Sequence, residues 1–312
     1  MLYKSENQPM KSPEKISSIS RLHQFLGLKR PSNPLISVFS FDDVKLESGT
    51  FLNAVTTDFY MIALKKDCAG GKFKYGQQYY DFDDGIMYFT APHQVLQFEN
   101  VLLNAVRGFV MIIHPDFLHS YPLASTIKEY GYFSYMANEA LYLSEKEEKS
   151  VMDIIVNIER EIEANMDSFT QDLLISNLDL LLKYCDRFYN RQFLTRKKVN
   201  NDLLSKLENI LDDHFREDKL LLNGIPTVQF VAGELSLSPN YLSDMLRVQT
   251  GQTTQQHIQN RLIEKAKEML STTEMSVSEI AYHLGFEHPQ SFHRLFKNQT
   301  ALSPLEFRAS FN

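Results

Sequence analysis

Four polar side chains near the end of the chain are spaced so that they can share one face of a helix. Their intervals of three and four residues place Gln290, His293, Arg294 and Lys297 on one side of an α-helix. Gln can pair with adenine and Arg with guanine in the DNA major groove, whereas a Lys toward the helix C-terminus suits a phosphate. These residue types at this spacing predict a DNA-reading surface.

The element that must position these side chains is predicted to be the second helix of a helix-turn-helix. A short amphipathic helix runs over 277–284, a tight turn follows, and the second helix begins at Pro289. Ala281 is a small residue at the place where the two helices cross, as this motif requires. The apolar stripes that pack the pair are Ile280, Ala281 and Leu284 on the first helix and Phe292, Leu295 and Phe296 on the second.

The same pattern occurs a second time about fifty residues upstream. Ala232 and Leu235 correspond to Ala281 and Leu284 at an offset of 49, and later positions correspond at an offset of 50. A match in register is much stronger evidence than a single motif. The upstream copy presents Asn240, Ser243, Asp244 and Arg247, where Asn suits adenine, Asp can accept from cytosine and Arg suits a phosphate. An amphipathic helix over 254–270 is predicted to join the copies.

This region resembles the AraC/XylS-type transcription regulators. The resemblance covers roughly the last hundred residues and is looser upstream; it is carried by Arg261, Leu262, Ala266, Leu270, Ile280, Ala281, Gly285, Phe286, Phe292, Arg294, Phe296, Lys297, Ser303, Pro304, Phe307 and Arg308. It implies a cupin-like N-terminal domain that senses a small ligand, dimerisation through the helices that follow it, and binding of operator DNA. It also implies an activator, with RNA polymerase as a candidate partner. The family usually has Gly where this chain has Ala301, so the second recognition helix is expected to end differently or under strain.

Charge is an argument against a simple DNA-binding surface. Residues 201–312 contain ten Lys and Arg against fourteen Asp and Glu, and the whole chain has a formal net charge of −7. Phosphate neutralisation normally supplies much of DNA affinity. Around the second recognition helix the balance is more favourable, since Arg294, Lys297 and Arg308 face only Glu306 between 288 and 308. We therefore expect modest affinity for one chain and a role for dimerisation.

The N-terminal half reads as a different fold. Apolar and aromatic runs alternate with turn residues over 34–41, 59–66, 71–82, 85–92, 94–99 and 107–115, which predicts antiparallel strands in a sandwich or small barrel. Asp81, Asp83 and Asp84 are interpreted as the turn of a hairpin. The many aromatic residues suit core packing, with a ligand cavity as the alternative. The fold class is α+β: a cupin-like antiparallel β-barrel with helices, then an all-α double helix-turn-helix domain.

Helices are predicted between these parts. Ser144 with Glu147 forms a capping box before one helical pattern, and Asp167-Ser168 with Gln171 opens another that runs to about residue 193. The apolar stripe of the second pattern can pack on its own domain or on a second chain. The predicted division is residues 1–139 for the sensor, 140–200 for a helical connector and dimerisation region, and 201–312 for DNA binding.

Composition bounds the remaining possibilities. The first twenty residues lack the apolar core of a secretory signal, Cys68 and Cys185 suggest no disulfide framework, and no run is as long as a membrane helix, so a cytoplasmic protein is expected. Before residue 200 no His-x-His pair indicates a metal-dependent cupin, and no catalytic motif is found. No enzyme activity, cofactor or metal is predicted. A regulator whose barrel only dimerises or contacts proteins is the alternative, and a cupin-type enzyme is a distant third.

Overall fold

The computed structural model describes residues 14–45, 55–66, 73–75, 78–80, 85–96, 107–165 and 167–310. The chain forms two compact units, residues 1–192 and 193–312. The predicted division into residues 1–139, 140–200 and 201–312 stays a prediction. Among the described residues, no helix has both the length and the apolar character needed to cross a membrane.

The described residues of the N-terminal unit include ten short strands. They are β1 (Glu14–Ile16), β2 (Ile36–Ser40), β3 (Val55–Thr57), β4 (Tyr60–Lys66), β5 (Phe73–Tyr75), β6 (Gln78–Tyr80), β7 (Ile86–Thr90), β8 (Val95–Leu96), β9 (Arg107–Ile113) and β10 (Leu141–Tyr142). A five-stranded antiparallel sheet has the order β10-β7-β4-β9-β2, a three-stranded sheet has the order β1-β3-β8, and β5 pairs with β6. The described strands do not close into a barrel, so the prediction is confirmed only as a β-sheet region with helices.

Both faces of the five-stranded sheet are buried, as the alternation of side chains along its strands allows. On one face Phe39, Ala63 and Val110 pack into a core that also contains Ile16 of β1 and Val55 of β3. On the other face Met87 lies 3.8 Å, sulfur to sulfur, from Cys185. Phe89, on the same face, packs against the rings of Tyr132, Phe133 and Tyr189. For Phe89 the structure favours core packing over a ligand cavity.

The α-helices in the described part of this unit are α1 (Ile19–Phe25), α2 (Leu123–Thr126), α3 (Glu145–Glu163) and α4 (Thr170–Thr195), the last of which continues past residue 192. The predicted capping box of Ser144 and Glu147 is confirmed at the start of α3. The predicted capping box of Asp167-Ser168 with Gln171 before α4 is wrong. Asp167 accepts from the amides of Phe169 and Thr170, whereas Gln171 donates to the carbonyl of Phe117. The side chain of Asp167 reaches the nearer amides first, which leaves Gln171 to pack elsewhere.

The second unit is helical throughout its described residues. After the end of α4 come α5 (Lys197–His214), α6 (Glu217–Asn223), α7 (Val228–Glu234), α8 (Pro239–Thr250), α9 (Thr254–Thr272), α10 (Val277–His283), α11 (Pro289–Thr300) and α12 (Pro304–Ala309). The predicted joining helix is confirmed as α9, whose buried positions include Ile258, Leu262, Ala266 and Leu270. The predicted end of the first helix near Leu284 and the start at Pro289 are also confirmed.

Candidate nucleic-acid interface

Two helix-turn-helix motifs have the same backbone hydrogen bonds at equivalent positions. We call α7 with α8 the first motif and α10 with α11 the second motif. In the first turn the amide of Leu237 donates to the carbonyl of Ala232 at 2.9 Å, and in the second the amide of Phe286 donates to that of Ala281 at 3.0 Å. Ser236 and Gly285 take positive φ at the same place in the turn, with values of 56° and 83°. The internal repeat predicted from sequence therefore extends to individual atoms.

The two recognition helices, α8 and α11, also end in the same way. The hydroxyl of Thr250 donates to the carbonyl of Leu246 at 2.8 Å, and that of Thr300 donates to Phe296 at the same distance. The next residue is left-handed in both helices, at Gly251 and at Ala301. A capping box then opens the following helix, with Thr253 and Gln256 before α9 and Ser303 and Glu306 before α12.

Ala301 keeps the backbone that glycine favours. Its φ is 64°, close to the 75° of Gly251. The amide of Ala301 donates to the carbonyl of Lys297 at 2.9 Å, as that of Gly251 donates to Arg247 at 3.0 Å. A left-handed alanine is less stable than a glycine by about 1 kcal/mol. Of the two sequence expectations for this position, the strained end is the one the structure has.

A continuous apolar core fixes the orientation of both recognition helices. The side chains of Phe292 and Phe296 are fully buried, and their rings pack edge to face at 5.6 Å. Leu242 and Leu246 are equally buried in α8, which corresponds residue for residue to α11 at an offset of 50. Because the apolar sides of α8 and α11 are held inward, their opposite sides must face outward.

The eight predicted reading residues lie on these outward sides with different degrees of exposure. Five are exposed: Asn240, Arg247, Gln290, Arg294 and Lys297. Ser243, Asp244 and His293 are intermediate. The residues correspond in pairs at an offset of 50: Asn240 with Gln290, Ser243 with His293, Asp244 with Arg294, and Arg247 with Lys297. The structure thus brings each set together on one helix face.

Three of the first motif's four reading residues already have partners inside the protein. The hydroxyls of Ser243 and Thr254 share a hydrogen bond of 3.0 Å, which ties α8 to the start of α9. A guanidinium nitrogen (Nη1) of Arg247 lies 2.7 Å from a carboxylate oxygen (Oδ1) of Asp244. Ser243 is therefore a structural contact in the free protein, and the charge of Arg247 is compensated by its neighbour.

Arg308 has a structural role that the sequence analysis missed. Its guanidinium donates to the carbonyl of Leu270 at 3.2 Å and to that of Met275 at 2.7 Å. These carbonyls lie in the last turn of α9 and just beyond it, where acceptors lack helical partners. Arg308 was counted above among the charges available to DNA, and this contact instead assigns it to the packing of α12. The signal for such a role is not local, because its partners are more than thirty residues away.

The outward face of α11 in the second motif carries two cationic side chains, Arg294 and Lys297. Among the described residues neither Arg294 nor Lys297 takes part in an ion pair within 4.0 Å. By contrast, Nη2 of Arg261 in α9 lies 2.5 Å from Oδ1 of Asp212 in α5. The outward face of α11 therefore presents two cations that form no ion pair within the described residues, although Lys297 also interacts electrostatically with Glu306, whereas the outward face of α8 presents an ion pair.

Among the residues with described placement, no three His, Cys, Asp or Glu side chains are grouped so that they could hold a metal ion. The ring nitrogen Nδ1 of His114 caps a turn by accepting a hydrogen bond from the amide of Asp116 at 3.2 Å. Asp81, Asp83 and Asp84 lie outside the described residues.

Comparison with known proteins agrees with this geometry. A family model described as a helix-turn-helix domain matches residues 231–310. The HTH-type transcriptional activator RhaS of Citrobacter koseri is 28% identical over 153 residues, which cover 48% of this chain and 52% of the relative. RhaS of Salmonella paratyphi B is 31% identical over 135 residues, covering 43% and 46%. The chain thus spans about half the length of the curated relatives it matches.

Solved structures also match part of this chain. The C-terminal domain of the two-component response regulator yesN from Fusobacterium nucleatum is 29% identical, with 34% of this chain and 98% of that chain covered and a TM-score of 0.30. The two RhaS relatives described above are both named as HTH-type transcriptional activators. The C-terminal helical region of this chain, with its repeated motif and joining helix, thus matches a helix-turn-helix domain, and part of the chain is similar to HTH-type transcriptional activators.

Proposed function

We propose that this chain is a sequence-specific DNA-binding transcription activator that works as a dimer and senses a small ligand through its N-terminal unit. The observation that carries DNA reading is the pair of equivalent outward faces on α8 and α11. Both belong to one helical unit, and each is held by buried apolar side chains of its own helix. Two readers joined by one helix can enter successive major-groove segments on one side of the duplex, about one helical turn apart.

The proposed roles of the reading residues follow from their chemistry and exposure. Asn240 and Gln290 read adenine, Arg294 reads guanine, and His293 flanks that contact. Lys297 lies one turn further along α11 and contacts a phosphate. Arg247 has the equivalent place in α8, where the carboxylate of Asp244 offsets its charge. Ser243 acts mainly through its bond to Thr254, which fixes the angle between α8 and α9. Asp244 is treated separately below.

Selection of bound fragments from random duplex DNA tests this proposal. We expect one sequence to bind at least about a thousand-fold more tightly than scrambled DNA, as specific regulators do, and the affinity to fall with salt. Equal affinity for selected and scrambled duplexes would refute sequence-specific reading. Activation is proposed from the similarity to relatives that are named as activators. It is tested by transcription from the selected site with purified RNA polymerase.

Dimerisation is supported by an apolar stripe on α4. The stripe comprises Phe169, immediately before the helix, with Leu173 and Leu180. Their exposed fractions are 67%, 49% and 45%, and their spacing of four and seven residues places them on one side of the helix. A dimer contact would remove this surface from water and would raise DNA affinity by linking two readers. The stripe equally favours the alternative in which the N-terminal unit serves only association.

Sedimentation velocity tests the dimer contact. The variant L173Q/L180Q is expected to sediment as a monomer where the native chain is a dimer. L222Q provides a matched control, because Leu222 in α6 is exposed to 83% but lies outside the stripe. A dimer that persists in L173Q/L180Q, or dissociates in L222Q as well, would contradict the assignment of α4.

Ligand sensing is supported by the layered sheets of the N-terminal unit and by the resemblance to regulators with cupin-like sensor domains. The proposal includes a cupin-like barrel over residues 1–139 and a connector over 140–200. A panel of metabolites screened by thermal shift separates the two functions, since a ligand of the native state raises the unfolding temperature. No shift across a broad panel, with DNA binding intact, would favour the unit that only associates.

A further inference from the structure

The first and second motifs carry opposite charges at the same place on their recognition helices. Asp244 and Arg294 are equivalent positions at an offset of 50, at the centre of the outward face. The neighbouring positions are alike in charge, with Arg247 matched by Lys297 and Asn240 by Gln290. The two recognition helices therefore differ by two charge units between Asp244 and Arg294, although these neighbouring positions have the same charge. This inference rests on the DNA-reading function proposed above.

The carboxylate of Asp244 also controls a neighbouring cation. Oδ1 of Asp244 and Nη1 of Arg247 are 2.7 Å apart, on residues three positions apart in α8. The Asp244 side chain is 26% exposed and that of Arg247 is 58% exposed. A pair as open to solvent as this contributes little to folding. Its main effect is on the field in front of the helix, which is close to neutral at α8 and positive at α11.

A carboxylate on a DNA-facing surface reduces affinity for DNA in general. It is repelled by the phosphates, and here it also offsets the one cation of the same face. The loss is recovered where the carboxylate accepts a hydrogen bond from a base, and in the major groove the cytosine amino group is the donor that suits Asp. A base that offers only acceptors at that place donates no hydrogen bond to the carboxylate and repels it.

We propose that Asp244 is a specificity-determining residue that selects a cytosine in the half-site of the first motif. The first motif adds little to non-specific affinity, which the second motif supplies through Arg294 and Lys297. The two motifs thus divide the work. The second motif attracts DNA of any sequence through its two cations, in addition to the reading of guanine by Arg294, and the first motif rejects sequences that offer Asp244 no hydrogen-bond donor.

Variants at the two equivalent positions test this division with opposite expected signs. Binding of the full chain to a selected duplex and to a scrambled duplex is measured by fluorescence anisotropy over a series of salt concentrations. D244N is expected to bind scrambled DNA several-fold more tightly, with a salt slope steeper by up to about 0.9, because Arg247 becomes available to one phosphate. Its preference for the selected duplex is expected to fall about 5- to 150-fold.

R294Q is the matched comparison. It is expected to bind both duplexes more weakly, with a salt slope shallower by up to about 0.9. The double variant D244N/R247Q should return the slope to the native value while the preference stays reduced. Circular dichroism spectra and unfolding temperatures equal to those of the native chain establish that each variant is folded.

Two results would overturn the inference. D244N could retain the native preference for the selected duplex, or it could weaken binding to both duplexes as R294Q does. Either result, with a native chain that clearly prefers the selected duplex, defeats the role of Asp244 and leaves the proposed function intact. A native chain without any preference defeats both. Repeating the selection with D244N should remove a cytosine requirement at one position and leave the half-site of the second motif unchanged.

Discussion

Replacing Ala301 by Gly should stabilise the protein, although it removes a side-chain atom. Ala301 has a φ of 64°, in the left-handed region that favours glycine. Relief of this strain is worth about 1–2 kcal/mol, and the greater freedom of glycine in the unfolded chain offsets about 0.4–1 kcal/mol of it. The net gain expected for A301G is therefore about 0.5–1 kcal/mol.

The equivalent position of the first motif supplies the reverse experiment. Gly251 has a φ of 75°, and a Cβ built there meets no other atom within 4 Å. G251A therefore introduces the same strain without a clash, and should lower stability by about 0.5–1 kcal/mol. The double variant G251A/A301G exchanges the two ends and should unfold at nearly the native temperature.

Calorimetric unfolding of the full chain measures these differences. A change of 0.5–1 kcal/mol in a unit of this size corresponds to a shift of about 2–4 °C. Far-UV circular dichroism confirms that the helices are retained. The reasoning is refuted if A301G does not raise the transition temperature of the unit that contains α11, or if G251A does not lower it. A shift of equal sign in both variants would show that the two ends are not equivalent.

Three further predictions follow from the same contacts. G285A should cost more stability than G251A, because its Cβ would lie 3.0 Å from the Cα of Gly224 in addition to the strain at a φ of 83°; calorimetry on both variants compares them. The Ser276 and Ser303 amides and hydroxyls lower the pKa of Glu279 and Glu306 respectively. The stability that these carboxylates add is therefore complete above the pKa of an unfolded Glu, about 4.3, and is lost as the pH falls through the lower pKa of the folded state. The variant E279Q/E306Q should therefore show a weaker dependence of stability on pH below about pH 5, as measured by urea unfolding. R308Q should reduce stability by about 1–3 kcal/mol by weakening or removing donors to the Leu270 and Met275 carbonyls, and should leave the salt slope of DNA binding unchanged, whereas K297Q should reduce that slope.

Local sequence patterns predicted the reader well because its determinants are local. Pro289 fixes the start of α11, and Ser144 with Glu147 caps α3, through interactions within four residues. The register of the two motifs followed from the spacing of Ala232 and Ala281, and the hydrogen bonds in the turns reproduce it. The aromatic and apolar strands of the N-terminal unit were also found from their alternation.

Features that depend on distant partners were not predictable in the same way. β1 pairs in parallel with β3, and Glu14 is matched with Val55 across forty residues of chain. With three residues, β1 is too short to show an alternation of its own. Ser243 has the sequence position of a reader, and only the fold places its hydroxyl against Thr254. Arg308 likewise acquires its role from carbonyls that the fold brings to it.

The central claim is that two equivalent recognition helices read one DNA site. Hydroxyl-radical footprinting of the full chain on its selected duplex tests this most directly, with N240A and Q290A as partner variants. We predict, for each bound chain, two protected segments about 10 base pairs apart on one side of the duplex, with each variant losing protection mainly in one of them. A single protected segment for each chain, or identical footprints for the two variants, would contradict the claim.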